Sequence, residues 1–149
     1  MASADRIYVD PSALRCLYVH DQRSRSFCAW RGRARGALPL TPFGRVELVN
    51  SIALAVFRRD ISGDAGQAAL SDLDADIRAG HLFVADLLWR QALDRAADLS
   101  RRNTPAVGTR TLDVLHVASA LVLGCRHFIT YDARQAALAR LAGLRIVIP

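Results

Sequence analysis

Short runs of apolar residues alternate along this chain with longer segments in which apolar residues recur at helical spacing. The strand-like runs are residues 6–10, 38–40, 81–84, 128–131 and 145–148. The helical patterns cover residues 11–18, 23–33, 43–57, 63–78, 87–101, 111–123 and 132–141, and residues 103–108 are predicted to form a loop. Buried strands that alternate with helices are typical of a parallel sheet with helices on both faces. We therefore predict an α/β fold, a three-layer α/β/α sandwich around a mainly parallel sheet of four or five strands.

The length and hydropathy of the chain indicate a single domain. A chain of 149 residues can bury most of its apolar surface without disulfides or a structural metal. Its longest apolar stretch, residues 117–125, is interrupted by Ser119 and Gly124 and is far shorter than a bilayer span. The first residues show no basic-then-apolar signal pattern. We expect one domain over residues 1–149, in a cytoplasmic protein with no membrane segment.

The charged residues of this chain are of almost only two types, arginine and aspartate. All 20 basic residues are arginine, the 14 acids are aspartate except for Glu47, and the formal net charge is +6. Such a balance favours a polyanionic partner, nucleic acid or an acidic protein, although coding bias alone can replace lysine by arginine. The absence of lysine excludes a Walker A loop and argues against receiver domains and haloacid-type phosphatases. No Gly-x-Gly-x-x-Gly motif is present either, which argues against the common nucleotide-cofactor folds.

The three cysteines offer no metal site. Cys16, Cys28 and Cys125 are widely spaced, and none forms a Cys-x-x-Cys pair or lies near a histidine at zinc-binding spacing. All three lie in apolar stretches, so we expect them to be reduced core residues.

Four acidic residues fall at positions where an exposed charge is not the simplest explanation. Asp10 and Asp132 follow strand-like runs, at the sheet edge where open parallel sheets bind ligands, although both can also cap the next helix. Asp113 lies in the first turn of a mostly apolar helix, where an unpaired buried carboxylate would cost several kcal/mol. Glu47 is the one glutamate of the chain, and its alternative explanation is an ordinary exposed helix charge or pairing with Arg45 or Arg110.

Taken together, these acids predict a metal site. Carboxylates that converge at one sheet edge repel each other unless a cation neutralises them. An all-oxygen ligand set suits Mg²⁺, or Mn²⁺ in its place. A cation held in this way can orient a phosphodiester and help to activate a water for in-line attack, while arginines hold the rest of a polyanion. An acidic centre with an arginine rim is what a metal-dependent nuclease requires.

Four segments carry a resemblance to a known family over residues 7–148. They are Tyr8-Val-Asp-Pro-Ser-Ala-Leu14, Arg45-Val-Glu47 within a helical pattern, Thr109-Arg-Thr-Leu-Asp-Val-Leu-His-Val-Ala-Ser-Ala-Leu121, and Phe128-Ile-Thr-Tyr-Asp-Ala-Arg-Gln135. Each is weak alone, but in this order and at these intervals the chain resembles the PIN-domain ribonucleases, specifically the VapC-type toxins of bacterial toxin–antitoxin pairs. Pro11 departs from the family pattern, which more often has Thr or Ser there, and this removes one hydroxyl and one N–H.

The resemblance implies a function and a site. Asp10, Glu47, Asp113 and Asp132 would be the catalytic residues and would hold Mg²⁺ or Mn²⁺, with supporting hydroxyls at Ser12 and Thr130. The activity would be endonucleolytic cleavage of RNA, leaving phosphate on the 5′ side of the new end. The chain would form a homodimer and, with a cognate VapB-type antitoxin that inhibits it, a heterotetramer or larger assembly.

Other side chains near these motifs have more than one possible role. Arg110 is a candidate for binding a substrate phosphate, or it forms a salt bridge with a site acid. His116 could assist catalysis, but we expect a structural histidine packed under the site. Phe27 and Trp30 could stack a base, but helical spacing favours the core or an interface. The arginines of the Arg23–Arg35 segment could grip phosphates, face solvent or meet an acidic antitoxin surface.

Two alternative functions stay open at this point. The first is a catalytically silent PIN-like module that binds RNA or a protein without cutting. The second is a metal-dependent phosphatase or DNA nuclease on a similar sheet. The phosphatase is disfavoured by the missing lysine and by Asp10-Pro11-Ser12 where Asp-x-Asp is expected.

Overall fold

Five short strands alternate with helices in the computed structural model, which describes residues 6–149. The strands are β1 (Ile7–Val9), β2 (Leu38–Leu40), β3 (Leu82–Val84), β4 (His127–Ile129) and β5 (Arg145–Ile146). The helices are α1 (Pro11–Leu14), α2 (Ser24–Arg33), α3 (Pro42–Phe57), α4 (Gly63–Arg78), α5 (Trp89–Val107), α6 (Thr111–Val122) and α7 (Ala133–Leu141), and a 3₁₀ turn at Arg15–Leu17 follows α1. The mixed α/β class predicted from the sequence is confirmed.

All strand pairs found in residues 6–149 are parallel. One ladder has three strands in the order β1-β4-β5, and the other pairs β2 with β3. In the larger ladder Val9 lies opposite Ile129, and the N–H of Asp10 donates to the carbonyl of Ile129 at 2.9 Å. β1 also contacts β2, although the two belong to different ladders. The carboxyl ends of β1 and β4 therefore lie side by side.

The side chains of β1 and β4 point alternately into two apolar clusters. Ile7, Val9 and Ile129 belong to one cluster, together with buried residues of α1 to α4. Tyr8 and Phe128 belong to the other, with buried residues of α5, α6 and α7. Since successive side chains of a strand point to opposite faces, helices cover both faces of these strands. This explains why the strand sequences are apolar throughout rather than alternating.

The helix before α6 differs from its prediction. The sequence predicts a helix over residues 87–101 with Asp86 as its cap, but the helix begins at Trp89 without a side-chain cap and continues through residues 103–107, which were predicted to be a loop. Pro105 is exposed and lies within the last turn, where it removes one helical hydrogen-bond donor. Gly108 then ends the helix with a φ of 70°, a left-handed conformation that glycine adopts without steric cost.

Smaller differences concern strand ends and one cysteine. β4 ends at Ile129 and β5 at Ile146, two residues earlier than predicted in each case. Cys16 and Cys125 are buried as expected, but Cys28 is exposed because it lies on the outer side of α2, next to buried Phe27. Phe27 and Trp30 are buried in the core, which supports their structural reading. In the part of the chain that is described, no helix combines the length and the hydropathy needed to cross a membrane.

Candidate functional site

Asp10 is held by hydrogen bonds to both of its carboxylate oxygens. It follows β1 directly and caps α1, where Pro11 suits the first helical position. Its Oδ2 accepts from the backbone N–H of Ser12 at 3.1 Å and from the Ser12 hydroxyl, and its Oδ1 accepts from Nε2 of Gln135 at 2.9 Å. Asp10 is only 6% exposed. The capping role and the placement at the sheet edge are therefore both real, and they fix the carboxylate in one orientation.

Asp132 occupies the equivalent position after β4. Its Oδ1 caps α7 by accepting from the N–H groups of Arg134 at 2.8 Å and Gln135 at 3.0 Å. The hydroxyl of Thr130 accepts from the Asp132 N–H at 3.0 Å. Thr130 thus supports the loop that carries Asp132, and it is not among the residues that line the cavity described below. Oδ2 of Asp132 remains available to other groups of the site.

Asp113 and Asp132 share one cation. The Nε of Arg110 donates to Oδ2 of Asp113 at 2.9 Å, and the Nη2 of Arg110 lies 3.6 Å from Oδ2 of Asp132. The hydrogen bond and the charge of Asp113, followed by the charge of Asp132, raise the pKa of the Arg110 guanidinium. Of the two roles predicted for Arg110, the salt bridge is the one present in this structure.

Glu47 projects from α3 toward a histidine that is 1% exposed. Nε2 of His116 is hydrogen-bonded to Oε2 of Glu47 and lies 4.0 Å from Oδ1 of Asp10. Nδ1 of His116 lies 2.7 Å from the phenol oxygen of Tyr8 on β1. A carboxylate can only accept, so Nε2 carries the hydrogen, and in the neutral imidazole Nδ1 then accepts from the Tyr8 hydroxyl. His116 is therefore buried, as predicted, but it also holds a site acid.

Tyr8, His116 and Glu47 form a hydrogen-bonded relay, and aromatic rings pack against its buried members. The ring of His116 packs against Phe43 at a centroid distance of 4.6 Å, and Tyr8 stacks on Phe128 at 5.4 Å with nearly parallel planes. Burial raises the pKa of the Tyr8 phenol far above its ordinary value, so the phenol stays neutral. A neutral phenol retains the hydrogen that it donates to His116.

The four predicted acids meet in one cavity. Its volume is about 440 Å³, and it lies at the carboxyl ends of β1 and β4. Its walls are formed by Asp10, Pro11, Ser12, Arg23, Glu47, Ser51, Arg110, Asp113, His116, Tyr131 and Asp132. The acids lie directly after β1, on α3, on α6 and directly before α7, so residues up to 122 positions apart in sequence line one cavity. Ser12 and Arg110, predicted as supporting residues, line the same cavity.

The donor set fits a hard divalent cation by its chemistry. Carboxylates and a serine hydroxyl face the cavity, and no thiol lines it. Within residues 6–149, however, no group of three or more acidic, histidine or cysteine side chains is positioned together as metal ligands. Arg110 engages Asp113 and Asp132, and His116 engages Glu47. The residue types therefore suit a divalent cation. In this structure, Asp113, Asp132 and Glu47 contact side chains of the protein itself.

Some residues of the site were not predicted. Gln135 is fully buried and links Asp10 to α7, and the Tyr8 hydroxyl contacts His116 from β1. A signal for Gln135 exists in the sequence, since it lies three and four positions before Leu138 and Ala139, on the buried face of α7. Tyr8 and Tyr131 carried no such signal, because an aromatic residue in a strand-like run is ordinarily core.

The chain was compared with protein-family models and with curated proteins, and neither comparison finds a match. The resemblance to the PIN-domain ribonucleases therefore stays a prediction from the four sequence motifs.

Proposed function

We propose that this protein is a metal-dependent endoribonuclease of the VapC-type toxin class. The observation that carries the proposal is the convergence of Asp10, Glu47, Asp113 and Asp132 on one cavity at the carboxyl ends of parallel strands. The sequence alone predicts the same four residues as a metal site. A net charge of +6 around an acidic cavity supports a polyanionic substrate.

The fold supports the same proposal. The two parallel ladders, β1-β4-β5 and β2-β3, and the contact between β1 and β2 support a strand order β3-β2-β1-β4-β5. We propose that these strands form the central layer of a three-layer α/β/α sandwich of the PIN type. The two apolar clusters, one on each face of β1 and β4, are what such a sandwich requires.

The carboxylates of Asp10, Glu47, Asp113 and Asp132 would hold Mg²⁺ or Mn²⁺. When bound, such a cation orients a phosphodiester, stabilises its developing negative charge and lowers the pKa of a bound water. The residues around the carboxylates hold them in place: Ser12 and Gln135 orient Asp10, and the cap of α7 orients Asp132. His116 and Tyr8 orient Glu47 from beneath. Positioning of this kind avoids reorganisation during the reaction.

RNA cleavage tests the proposal directly. Purified protein, freed of any antitoxin, is incubated with total cellular RNA in Mg²⁺ or Mn²⁺ and in EDTA, beside the variants Asp113→Asn and Asp94→Asn. We expect discrete fragments that carry a 5′ phosphate, that require the metal and that are lost in Asp113→Asn. Asp94 is an exposed acid of α5 away from the cavity, so Asp94→Asn should cleave like the wild type.

Other outcomes point to the alternatives. Folded protein that binds RNA but cuts none under any of these conditions would favour a silent binding module. Preferential cleavage of DNA in a parallel assay would favour a DNA nuclease.

The partners of the protein are part of the proposal. We propose a homodimer that binds a VapB-type antitoxin in a heterotetramer or larger assembly. Large apolar side chains are exposed on α3 and near the start of α5, among them Val46 (68% exposed), Phe57 (83% exposed), Leu88 and Leu93. Val46 lies in a groove with Val49, Ala53 and Val84, and exposed apolar surface of this kind supports a protein interface.

A further inference from the structure

Besides Arg110, a second arginine lines the acidic cavity, and it lies far from Arg110 in the sequence. Arg23, at the start of α2, lines the cavity together with Tyr131, which lies between β4 and Asp132. The guanidinium carbon of Arg23 is 4.3 Å from the centroid of the Tyr131 ring, which is cation–π contact. The Arg23 guanidinium therefore stacks on the Tyr131 ring, next to the candidate catalytic residue Asp132.

Contacts within the chain hold the backbone of Arg23 and the ring of Tyr131 in place. Oδ1 of Asp21 accepts from the N–H groups of Arg23 at 2.8 Å and Ser24 at 3.1 Å, which fixes the first turn of α2. Burial raises the pKa of Asp21, but these hydrogen bonds outweigh it and lower the pKa overall, so the carboxylate stays ionised. Tyr131 is partly buried and packs on the apolar cluster beneath α2. The pair is therefore positioned before any ligand arrives.

Arg23 differs from the other arginines of the Arg23–Arg35 segment. Arg31 donates to backbone carbonyls of Ala34, Gly36 and His81, so its guanidinium is part of the fold. Arg25, Arg33 and Arg35 are exposed and do not line the cavity. Arg23 lines it, and across residues 6–149 no carboxylate lies within ion-pair distance of its guanidinium.

Arg23 also differs from Arg110 on the same cavity. The guanidinium of Arg110 is engaged by Asp113 and Asp132, so its charge is already matched. The donors of Arg23 that point away from the ring remain available to an anion. A chain of phosphates that enters a cavity lined by four carboxylates requires such an unmatched cation at the rim.

We propose that Arg23 and Tyr131 form a phosphate-binding subsite for single-stranded RNA, next to the position where the chain is cut. The guanidinium binds the phosphate of the adjoining nucleotide, and the Tyr131 ring holds the guanidinium at the rim. This inference rests on the proposed function, since it assigns the means by which that cavity receives its substrate. The segment Arg23–Arg35 then has one substrate-binding arginine rather than a continuous basic patch.

The test measures RNA binding without cleavage. A fluorescein-labelled single-stranded RNA of mixed sequence is titrated, in Mg²⁺, against Asp113→Asn protein and against the same protein with Arg23→Gln, Arg23→Lys or Arg25→Gln added. We expect Arg23→Gln to weaken binding about tenfold, as loss of a charged hydrogen bond does. The slope of log K against log salt should also fall by about 0.7, the value for one phosphate contact on a single strand.

The controls separate position from charge. Arg25→Gln removes the same charge from an exposed position of α2 and should change affinity less than twofold. Arg23→Lys should restore most of the salt slope. Tyr131→Leu, which removes the ring, should weaken binding about two- to fivefold, as expected for loss of a cation–π contact, whereas Tyr131→Phe should bind like the parent.

The outcomes distinguish failure of this inference from failure of the proposed function. If the active protein cuts RNA but Arg23→Gln binds like Arg25→Gln, the subsite is wrong and the nuclease proposal stands. If the wild-type protein does not cut RNA and the Asp113→Asn protein does not bind it, both are wrong. In the otherwise wild-type protein, Arg23→Gln should raise KM about tenfold with little change in kcat; a loss confined to kcat would contradict a binding role.

Discussion

Nδ1 of His116 and the phenol oxygen of Tyr8 lie 2.7 Å apart in the core, beneath the acidic cavity. Tyr8 is on β1 and His116 is on α6, so this contact joins the sheet to the helix that carries Asp113. The other ring nitrogen of His116 binds Glu47, which places one buried imidazole between a structural residue and a candidate catalytic one. The stability of the core and the geometry of the site are therefore connected.

Removing the Tyr8 hydroxyl should affect both properties. In Tyr8→Phe the buried Nδ1 loses its partner, and we expect the free energy of unfolding to fall by about 1–3 kcal/mol. RNA cleavage should fall as well, because Glu47 is then held by a less constrained imidazole. Urea unfolding and cleavage rates measured on the same preparation check this prediction.

Tyr18→Phe provides the matched control for that prediction. The Tyr18 hydroxyl donates to Asp76 at 2.7 Å, and neither residue lines the acidic cavity. This variant should lose stability without losing cleavage. Equal cleavage by Tyr8→Phe and Tyr18→Phe would show that the relay is structural only.

Arg110 should compete with a metal ion for the carboxylates of Asp113 and Asp132. In Arg110→Gln these carboxylates lose their cation, so we expect Mn²⁺ to bind roughly two- to fivefold more tightly in the absence of RNA, as for loss of one exposed ion pair. Calorimetric titration of the RNA-free protein measures this. Arg101→Gln, which removes an ion pair with Asp98 on α5, should bind Mn²⁺ like the wild type. Unchanged affinity in Arg110→Gln would place the metal away from these two carboxylates.

Gln135 should be required for the placement of Asp10. Gln135→Leu keeps the approximate volume but leaves Oδ1 of the buried Asp10 without its donor, at an expected cost of about 1–3 kcal/mol of unfolding free energy. Cleavage should also decrease, since Asp10 loses one of its anchors. Gln67→Leu, at an exposed position of α4, is the control and should be nearly neutral. Full stability in Gln135→Leu would mean that water replaces the amide.

Thiol reactivity should separate Cys28 from Cys16. Cys28 is exposed, whereas burial and the nearby Asp21 raise the pKa of Cys16 to about 11. At pH 8 the Cys16 thiol is almost entirely protonated, so iodoacetamide should modify Cys28 first. The rate at Cys16 should rise with pH until the pH reaches about 11. Peptide mass analysis of native protein at several pH values follows both sites, and equal rates at pH 8 would contradict the burial of Cys16.

The exposed apolar surface of α3 should mediate self-association. Val46 lines an apolar groove with Pro42, Val49, Ala53 and Val84, and we expect a second copy of the chain to cover it. Val46→Asp should convert the dimer to a monomer, measured by light scattering during size-exclusion chromatography. Arg58→Asp, which adds negative charge at the end of the same helix, tests whether charge alone is sufficient. A wild-type protein that is monomeric at high concentration would overturn the dimer.

Local chemistry made much of the fold predictable. The apolar runs and helical spacings located the five strands of residues 6–149 and most helix boundaries, because continuous apolar runs mark strands buried on both faces and a period of 3.6 marks the buried face of a helix. Caps were equally readable: Asp10 and Asp132 both accept from the first turns of their helices. Asp86 was misassigned because a capping residue type alone does not fix where a helix begins: α5 begins at Trp89, whose ring contacts Phe43 of α3.

The limits of the sequence are clearest at the site. The sequence by itself determined an α/β chain with acids after two strands, one acid on a buried helix and a single glutamate, since these depend on residue type and local spacing. Only the tertiary structure decided that Gln135 anchors Asp10, that His116 holds Glu47, and that Arg23 rather than Arg25 reaches the cavity. Those contacts join residues far apart in the chain. Such pairings arise from the packing of whole helices on the sheet, which no local pattern records.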